Sequence, residues 1–168
     1  MNLALQQEQV DIVTRHFVVD PPAIEDIPAQ QNADEAIAGL IEDFDLLEDW
    51  TERYQYIIDQ GKKLAPLPAT WQTTDHLLHG CQSQVWLVSY LVDDRLYVSA
   101  QSDSTIVNGL IALLKRVYNG RPPQEILSVG YDFLAQLGLN DHLSPTRRNG
   151  LYAMVQAIRT IAGQVAHG

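Results

Sequence analysis

The sequence predicts an α+β domain in which a small antiparallel sheet of about three strands packs against helices. The central segment, residues 84–100, is rich in β-branched and aromatic side chains, which is typical of strands. On both sides of this segment, apolar residues recur every three or four positions, as they do along one face of a helix. A length of 168 residues favours a single domain, which we place at residues 34–168.

Two helices are predicted before the sheet. The first begins near Asp34, and either Asn32 or Asp34 can serve as its N-cap. The second runs from Glu48 to about Lys63, where Gly61 suits a frayed C-terminal end. Two prolines follow shortly afterwards and prevent the second helix from continuing.

The strands are predicted from composition and from one turn. Gln84–Val92 and Arg95–Ala100 form a hairpin, because Asp93–Asp94 between them is short enough for a tight turn. His76–His79 can add a short strand before them. Cys81 then lies in a turn at the edge of the sheet.

The second half of the chain is predicted to be helical. A helix covers Ser104–Asn119, with Ser102 or Asp103 as its cap. Gly109 lies inside this helix, where glycine costs about 1 kcal/mol relative to alanine, so we expect a close helix–sheet contact there. Further helices are expected over residues 123–127, over residues 131–137 and from residue 145 onward.

The charge distribution is uneven along the chain. The formal net charge is −10, and residues 1–50 hold 12 acids but a single base, Arg15. We interpret residues 1–33 as an acidic, weakly patterned extension that is mobile or loosely docked, with a short helix near Leu3–Phe17. The acidic balance argues against nucleic acid as a partner. Neither a membrane-spanning run nor a secretory signal is recognisable, so we expect a cytoplasmic protein with no membrane partner.

Cys81 is the single cysteine, which excludes a disulfide within the chain and an all-cysteine metal cage. A lone cysteine is most often a small buried apolar residue. Here, however, Gly80 precedes it and frees the backbone, so that the sulfur can be presented on the tip of a turn. The sequence around it, GCQSQVW, leaves a buried and a functional thiol equally open.

Two other chemistries are possible at this cysteine. His76, His79 and Cys81 are close in sequence and are of ligand types that zinc accepts, but their spacing matches no standard finger. A cysteine hydrolase would need a base, which His142 or His79 could supply. No pattern marks an oxyanion hole for it.

Arg147 and Arg148 lie at the predicted start of the last helix. Cations at a helix N-terminus oppose the helix dipole. We therefore expect an acidic group to compensate them, either in this chain or in a partner.

Four segments in order resemble the SufE family, the sulfur-acceptor proteins of iron–sulfur cluster assembly. They are WTERYQYIIDQGKKL, GCQSQVW, SDSTIVNGLIALL and HLSPTRRNGLYAMVQAIR, and the resemblance runs from about Asp34 to Ala162. GCQSQVW looks closer to SufE proper than to its paralogue CsdE. The resemblance implies an α+β fold similar to the IscU scaffold, with the resting thiol in an apolar pocket.

The resemblance also implies a function. A protein of this family takes persulfide sulfur from a SufS-type cysteine desulfurase, stimulates that enzyme and passes the sulfur to an iron–sulfur scaffold. Cys81 matches the acceptor, while Gly80, Asp103 and Arg147 match positions that shape the cysteine loop or contact the desulfurase. Pyridoxal phosphate belongs to the partner, so no cofactor is expected here, and the chain is not an independent desulfurase. Gln101 and Asn108 differ from residues common in relatives, which predicts altered desulfurase affinity or partner choice.

Two alternatives remain open beside the sulfur acceptor. The chain could bind and regulate the desulfurase without accepting sulfur. It could also be a zinc or iron–sulfur scaffold of the IscU type, although such a scaffold normally needs three cysteines. Whether the protein forms a homodimer is left open as well.

Overall fold

The computed structural model describes residue 7, residues 12–18 and residues 32–167. Its sheet is an antiparallel hairpin of β1 (Val85–Val92) and β2 (Arg95–Ser102). Asp93 and Asp94 connect the strands with φ values of 52° and 63°, and a tight type I′ turn needs positive φ at both central residues. The predicted hairpin is therefore confirmed.

The expected third strand does not form within the described residues. Residues Thr74–His76 make a short 3₁₀ turn instead. Leu77 then forms a single antiparallel bridge with Trp86, and the amide of Leu78 donates to the carbonyl of Val85 at 2.8 Å. Pairing stops there because Gly80 has a φ of +94°, a left-handed conformation that turns the chain away from the strand.

Seven helices longer than a single 3₁₀ turn lie between residues 33 and 167. They are α1 (Ala33–Asp45), α2 (Trp50–Lys62), α3 (Thr105–Tyr118), α4 (Pro123–Ser128), α5 (Asp132–Gln136), α6 (Leu139–His142) and α7 (Pro145–His167). These bounds confirm the predicted helices to within a few residues, and α6 is an additional turn. Of the helix predicted near residues 3–17, residues 12–16 are helical, and most of the rest lies outside the described residues.

The helix caps agree with the sequence in one case and differ in another. Asn32 caps α1, since its side-chain oxygen accepts a hydrogen bond from the amide of Glu35 at 2.8 Å. Helix α3 is capped by Ser104 and not by Ser102 or Asp103. Ser102 is still part of β2, and the Asp103 carboxylate bonds to another segment.

The sequence predicts a close contact between the glycine inside α3 and the sheet. In the structure this glycine packs against another helix instead. A Cβ placed on Gly109 would lie 2.2 Å from the carbonyl oxygen of Ile57 in α2. A Cβ on Gly61 would lie 2.5 Å from the amide nitrogen of Gly109. Gly61 lies in the last turn of α2, which ends at Lys62, as the sequence predicted. It also lies where α2 crosses α3, a contact that the sequence did not indicate.

One face of the hairpin packs on α3 and α7. Leu87, Val98 and Ala100 from the strands meet Leu114 and Ile158 from these helices. This packing places the loop before β1, the start of α3 and the start of α7 at one end of the domain. None of the helices in the described part of the chain combines the length and apolar character needed to cross a bilayer.

Candidate functional site

Cys81 lies on the short loop that connects Leu77, which bridges to Trp86, with the start of β1. The sequence predicted a turn at the edge of the sheet at this place. The side chain is half-buried. Its thiol points to α7, where the carbonyl oxygen of Gly150 is 3.7 Å from Sγ. A Cβ on Gly150 would be 3.5 Å from Sγ, so the sulfur rests directly on the backbone of this helix.

A cavity of about 340 Å³ opens beside the thiol. Its apolar lining comes from buried side chains of β1, α3 and α7, namely Val85, Val107, Leu110, Leu151 and Met154. Its polar lining comes from the cysteine loop and the start of α7, namely Gln82, Ser83, Ser144, Thr146 and Arg147. The thiol thus lies between an apolar interior and a polar entrance.

Burial determines the protonation state of this thiol. It raises the pKa of Cys81 to about 11, because a thiolate loses its hydration when it is removed from water. Since the thiolate is the nucleophile, the withdrawn thiol is almost entirely protonated and unreactive at neutral pH. Sulfur chemistry at Cys81 requires the side chain to leave this environment or a partner to change it.

Asp103 anchors the C-terminal end of the cysteine loop. Its carboxylate accepts a hydrogen bond from the amide of Gln84 at 3.0 Å, and its own amide donates to the carbonyl of Gln84 at 3.4 Å. Asp103 follows β2 directly, and Asn108 holds the end of that strand by exchanging two hydrogen bonds with the backbone of Ser102, at 2.8 and 3.0 Å. The loop therefore enters β1 from a fixed point.

Arg147 is exposed in the first turn of α7, at the entrance of the cavity. It is the only charged residue among the described residues that line this cavity. Its amide donates to the hydroxyl of Ser144 at 3.3 Å, whereas its guanidinium forms no ion pair with any described residue. The adjacent Arg148 donates to the carbonyl oxygen of Asn140 at 3.0 Å. An acid in a partner remains the prediction for Arg147.

The comparisons with known proteins agree with the resemblance of the four sequence segments to the SufE family. The family model for SufE, described as an Fe-S metabolism associated domain, matches residues 38–162. The chain belongs to the SufE family. This membership places the protein in iron–sulfur metabolism, while its assignment to SufE proper and not CsdE stays a prediction.

Two similar proteins extend the SufE family match. The chain is 37% identical over 128 residues to an uncharacterized SufE-like protein of Rhizobium meliloti (strain 1021), covering 73% of this chain and 91% of that protein. The solution structure of a hypothetical protein from Thermus thermophilus has a TM-score of 0.67 and 19% identity, and covers 79% of this chain and 97% of that one. This likeness supports the α+β fold.

The histidines considered as ligands or bases have other partners. His76 donates to the carbonyl oxygen of Trp71 at 3.0 Å, the ring of His79 contacts Arg15, and His142 stacks on Trp50 with ring centroids 4.0 Å apart. Among the described residues, no three His, Cys, Asp or Glu side chains are grouped to hold a metal ion. No histidine of the described part lines the Cys81 cavity, so the hydrolase interpretation lacks a base there.

The two departures from common SufE residues have structural roles. Asn108 fixes the end of β2, as described above, and the side-chain oxygen of Gln101 accepts a hydrogen bond from the amide of Leu67 at 2.8 Å. Sequence reasoning also gave no role to Gly150. The signal was present, because a glycine inside a helix marks a close approach in the same way as Gly109 does.

The raised pKa predicts the pH dependence of Cys81 alkylation. The rate with iodoacetamide should rise about tenfold per pH unit from pH 7 to pH 10, because the thiolate fraction increases throughout this range when the pKa is about 11. A synthetic peptide of residues 76–86 is the control, and its rate should level off above about pH 8.5. Circular dichroism at each pH verifies that the protein stays folded. A plateau near pH 8.5 in the folded protein would contradict the prediction.

Proposed function

We propose that this protein accepts sulfur as a persulfide on Cys81 from a SufS-type cysteine desulfurase and passes it on for iron–sulfur cluster assembly. The observation that carries the proposal is the placement of the chain's single cysteine. It sits on a loop that turns at Gly80, beside a cavity and next to an arginine without an ion pair among the described residues. Membership in the SufE family gives the chemistry its context.

The transfer step is an exchange between sulfur atoms. The thiolate of Cys81 attacks the outer sulfur of the persulfide on the desulfurase cysteine. A sulfur–sulfur bond forms at Cys81, the bond within the desulfurase persulfide breaks, and its electron pair stays on the desulfurase cysteine as a thiolate. The oxidised sulfur changes carrier, and no external oxidant or reductant is needed. Pyridoxal phosphate acts in the partner before this step, so this chain needs no cofactor.

The resting geometry suits a carrier that must avoid side reactions. A protonated, half-buried thiol resists oxidation and alkylation, since both follow thiolate character and exposure. Rotation of the loop at Gly80 would move the sulfur out to the partner. The cavity of about 340 Å³ has room for one more sulfur atom when the loop returns.

Arg147 is well placed for the desulfurase contact. Its exposed guanidinium lies at the cavity entrance, where it can pair with a carboxylate of the partner and favour a thiolate on the emerging cysteine. Asp103 contributes through Gln84 by holding the loop. We assign Arg147 to the partner contact and Asp103 to positioning of the loop.

Trapping of the persulfide tests this function. The protein is incubated with a SufS-type desulfurase and cysteine, thiols are alkylated, and the peptide that contains Cys81 is weighed. We expect the mass of one added sulfur, which disappears after reduction and which is missing when cysteine is omitted. Absence of this mass with a desulfurase that docks and turns over would contradict the proposal.

A second candidate is a regulator that binds the desulfurase without accepting sulfur. The withdrawn, protonated thiol favours it, because a thiol with a pKa of about 11 is a poor acceptor in its resting position. This candidate predicts that stimulation of the desulfurase does not depend on Cys81.

A further inference from the structure

A segment before the matched domain packs against the cysteine loop. Residues 12–18, here called the N-terminal segment, lie outside the SufE match at residues 38–162. With the chain before Gly80 and with α7, the segment encloses a second cavity of about 200 Å³, lined by Ile12, Arg15, His16, Leu78, His79, Ala153 and Gln156. Ala153 also lies next to Gly80, since a Cβ on that glycine would be 3.2 Å from the Cβ of Ala153.

Arg15 binds the backbone that leads into the cysteine loop. Its guanidinium donates to the carbonyl oxygens of Thr74, Asp75 and Leu77 at 3.1, 3.2 and 3.3 Å. The same guanidinium contacts the ring of His79, which lies two residues before Cys81. The planar fork of an arginine can serve several carbonyl acceptors at once, which a lysine cannot do with comparable geometry. One side chain thus fixes residues 74–79.

The sheet in turn holds the N-terminal segment in place. The amide of Val18 donates to the carbonyl oxygen of Ser89 in β1 at 2.8 Å. His16 is only 2% exposed, its Nδ1 donates to the carbonyl oxygen of Leu87 at 2.8 Å, and its own carbonyl accepts from the Ser89 hydroxyl at 3.1 Å. Arg15 is therefore carried by a segment that is fixed to the strand following the cysteine loop.

The cysteine loop consequently has two anchors. Asp103 holds Gln84 on one side, and Arg15 holds the chain up to His79 on the other. Between them, Gly80 is the point with the greatest backbone freedom. Movement of Cys81 away from Gly150 must rotate the chain there, and it is limited by both anchors.

We propose that Arg15 is a positioning residue that holds the cysteine loop with Cys81 withdrawn against α7, and that release of the N-terminal segment frees the cysteine to move outward. This proposal rests on the proposed function in one respect, because sulfur transfer is the step that would need the cysteine to move. The loop position itself is measurable without a desulfurase. The two ideas can therefore fail separately.

The test compares Cys81 alkylation at pH 8 in the full chain and in four variants, namely three single substitutions and the double variant Arg15→Gln/Val18→Pro. Arg15→Gln removes the guanidinium, and Val18→Pro removes the amide that bonds to Ser89, because proline has no N–H. Arg95→Gln is the matched control, since Arg95 also donates to a backbone carbonyl, that of Gly120 at 2.8 Å, but lies at the hairpin turn. Hydrogen exchange of residues 74–84 and of α3 is measured in each protein, together with the melting temperature.

We expect Arg15→Gln and Val18→Pro each to accelerate alkylation about tenfold, with faster exchange in residues 74–84 and unchanged exchange in α3. The double variant should be no faster than the singles, because both changes release the same segment. Arg95→Gln should match the parent protein. Unchanged alkylation in folded Arg15→Gln overturns the proposal. So does an acceleration in Arg15→Gln that is accompanied by equally faster exchange in α3, which would indicate general loss of stability.

With an active desulfurase the same variants separate the two proposals. If Cys81 accepts sulfur, persulfide loading of Arg15→Gln should be faster than that of the parent protein by a similar factor. If neither protein is loaded while alkylation still responds to Arg15, the positioning role stands and the sulfur-acceptor function fails. Equal loading and equal alkylation in both proteins would reject the positioning role alone.

Discussion

Replacing Cys81 with serine is expected to abolish persulfide loading completely and to remove the stimulation of the desulfurase. A serine hydroxyl stays protonated at any working pH and cannot attack a persulfide sulfur as a thiolate does. The fold should be unaffected, since the hydrogen bond of Sγ to the carbonyl oxygen of Gly150, at 3.7 Å, is weak and the oxygen that replaces the sulfur is smaller. The measurements are the mass of the peptide containing residue 81 and the rate of alanine release.

A matched control is available on the same loop. Ser83 also lines the cavity, so Ser83→Ala alters the loop but keeps the thiol, and it should retain both loading and stimulation. If Cys81→Ser still stimulates the desulfurase, the regulator without sulfur transfer becomes the correct function. If Ser83→Ala loses loading as fully as Cys81→Ser, the effect of the substitutions lies in the loop and not in the sulfur.

Local signals in the sequence predicted much of the structure. The helices could be predicted from apolar residues at helical spacing, because a helix that buries one face carries apolar residues every three or four positions. The hairpin follows from Asp93–Asp94, because residues that tolerate positive φ fit its tight turn. Gly80 likewise indicated the turn that carries Cys81. In each case, the residues that determine the structure are neighbours in the chain.

The features that were missed depend on contacts between distant segments. Gly109 signalled a close approach, but nothing in its own helix specifies whether α2 or the sheet lies opposite. Asp103 has the chemistry of a helix cap, yet its carboxylate bonds to Gln84 after β1 and β2 pair. The role of Arg15 depends on carbonyl oxygens about sixty residues away. Backbone acceptors of this kind have no sequence signature, because every residue carries one.

The crossing of α2 and α3 leads to the second large effect. Gly109→Ala should destabilise the protein by about 3 kcal/mol, because the added Cβ would overlap the backbone of α2 and force the helices apart. The Cβ position is 2.2 Å from the carbonyl oxygen of Ile57, and a backbone atom cannot rotate away as a side chain can. In a domain of this size, the loss corresponds to a fall of about 10 °C in the melting temperature. Thermal unfolding followed by circular dichroism measures it.

A glycine-to-alanine substitution in α7 provides the control, because it should stabilise the protein and not destabilise it. Gly163 is also inside a helix, but a Cβ there would make an ordinary contact, 3.7 Å from the side chain of Leu127. Gly163→Ala should therefore keep the gain in helix propensity, about 1 kcal/mol, and raise the melting temperature. Because Val107 and Leu110 of α3 line the Cys81 cavity, Gly109→Ala should also speed alkylation of Cys81, whereas Gly163→Ala should not. Equal melting temperatures for the two variants would mean that α2 and α3 are not in backbone contact at Gly109.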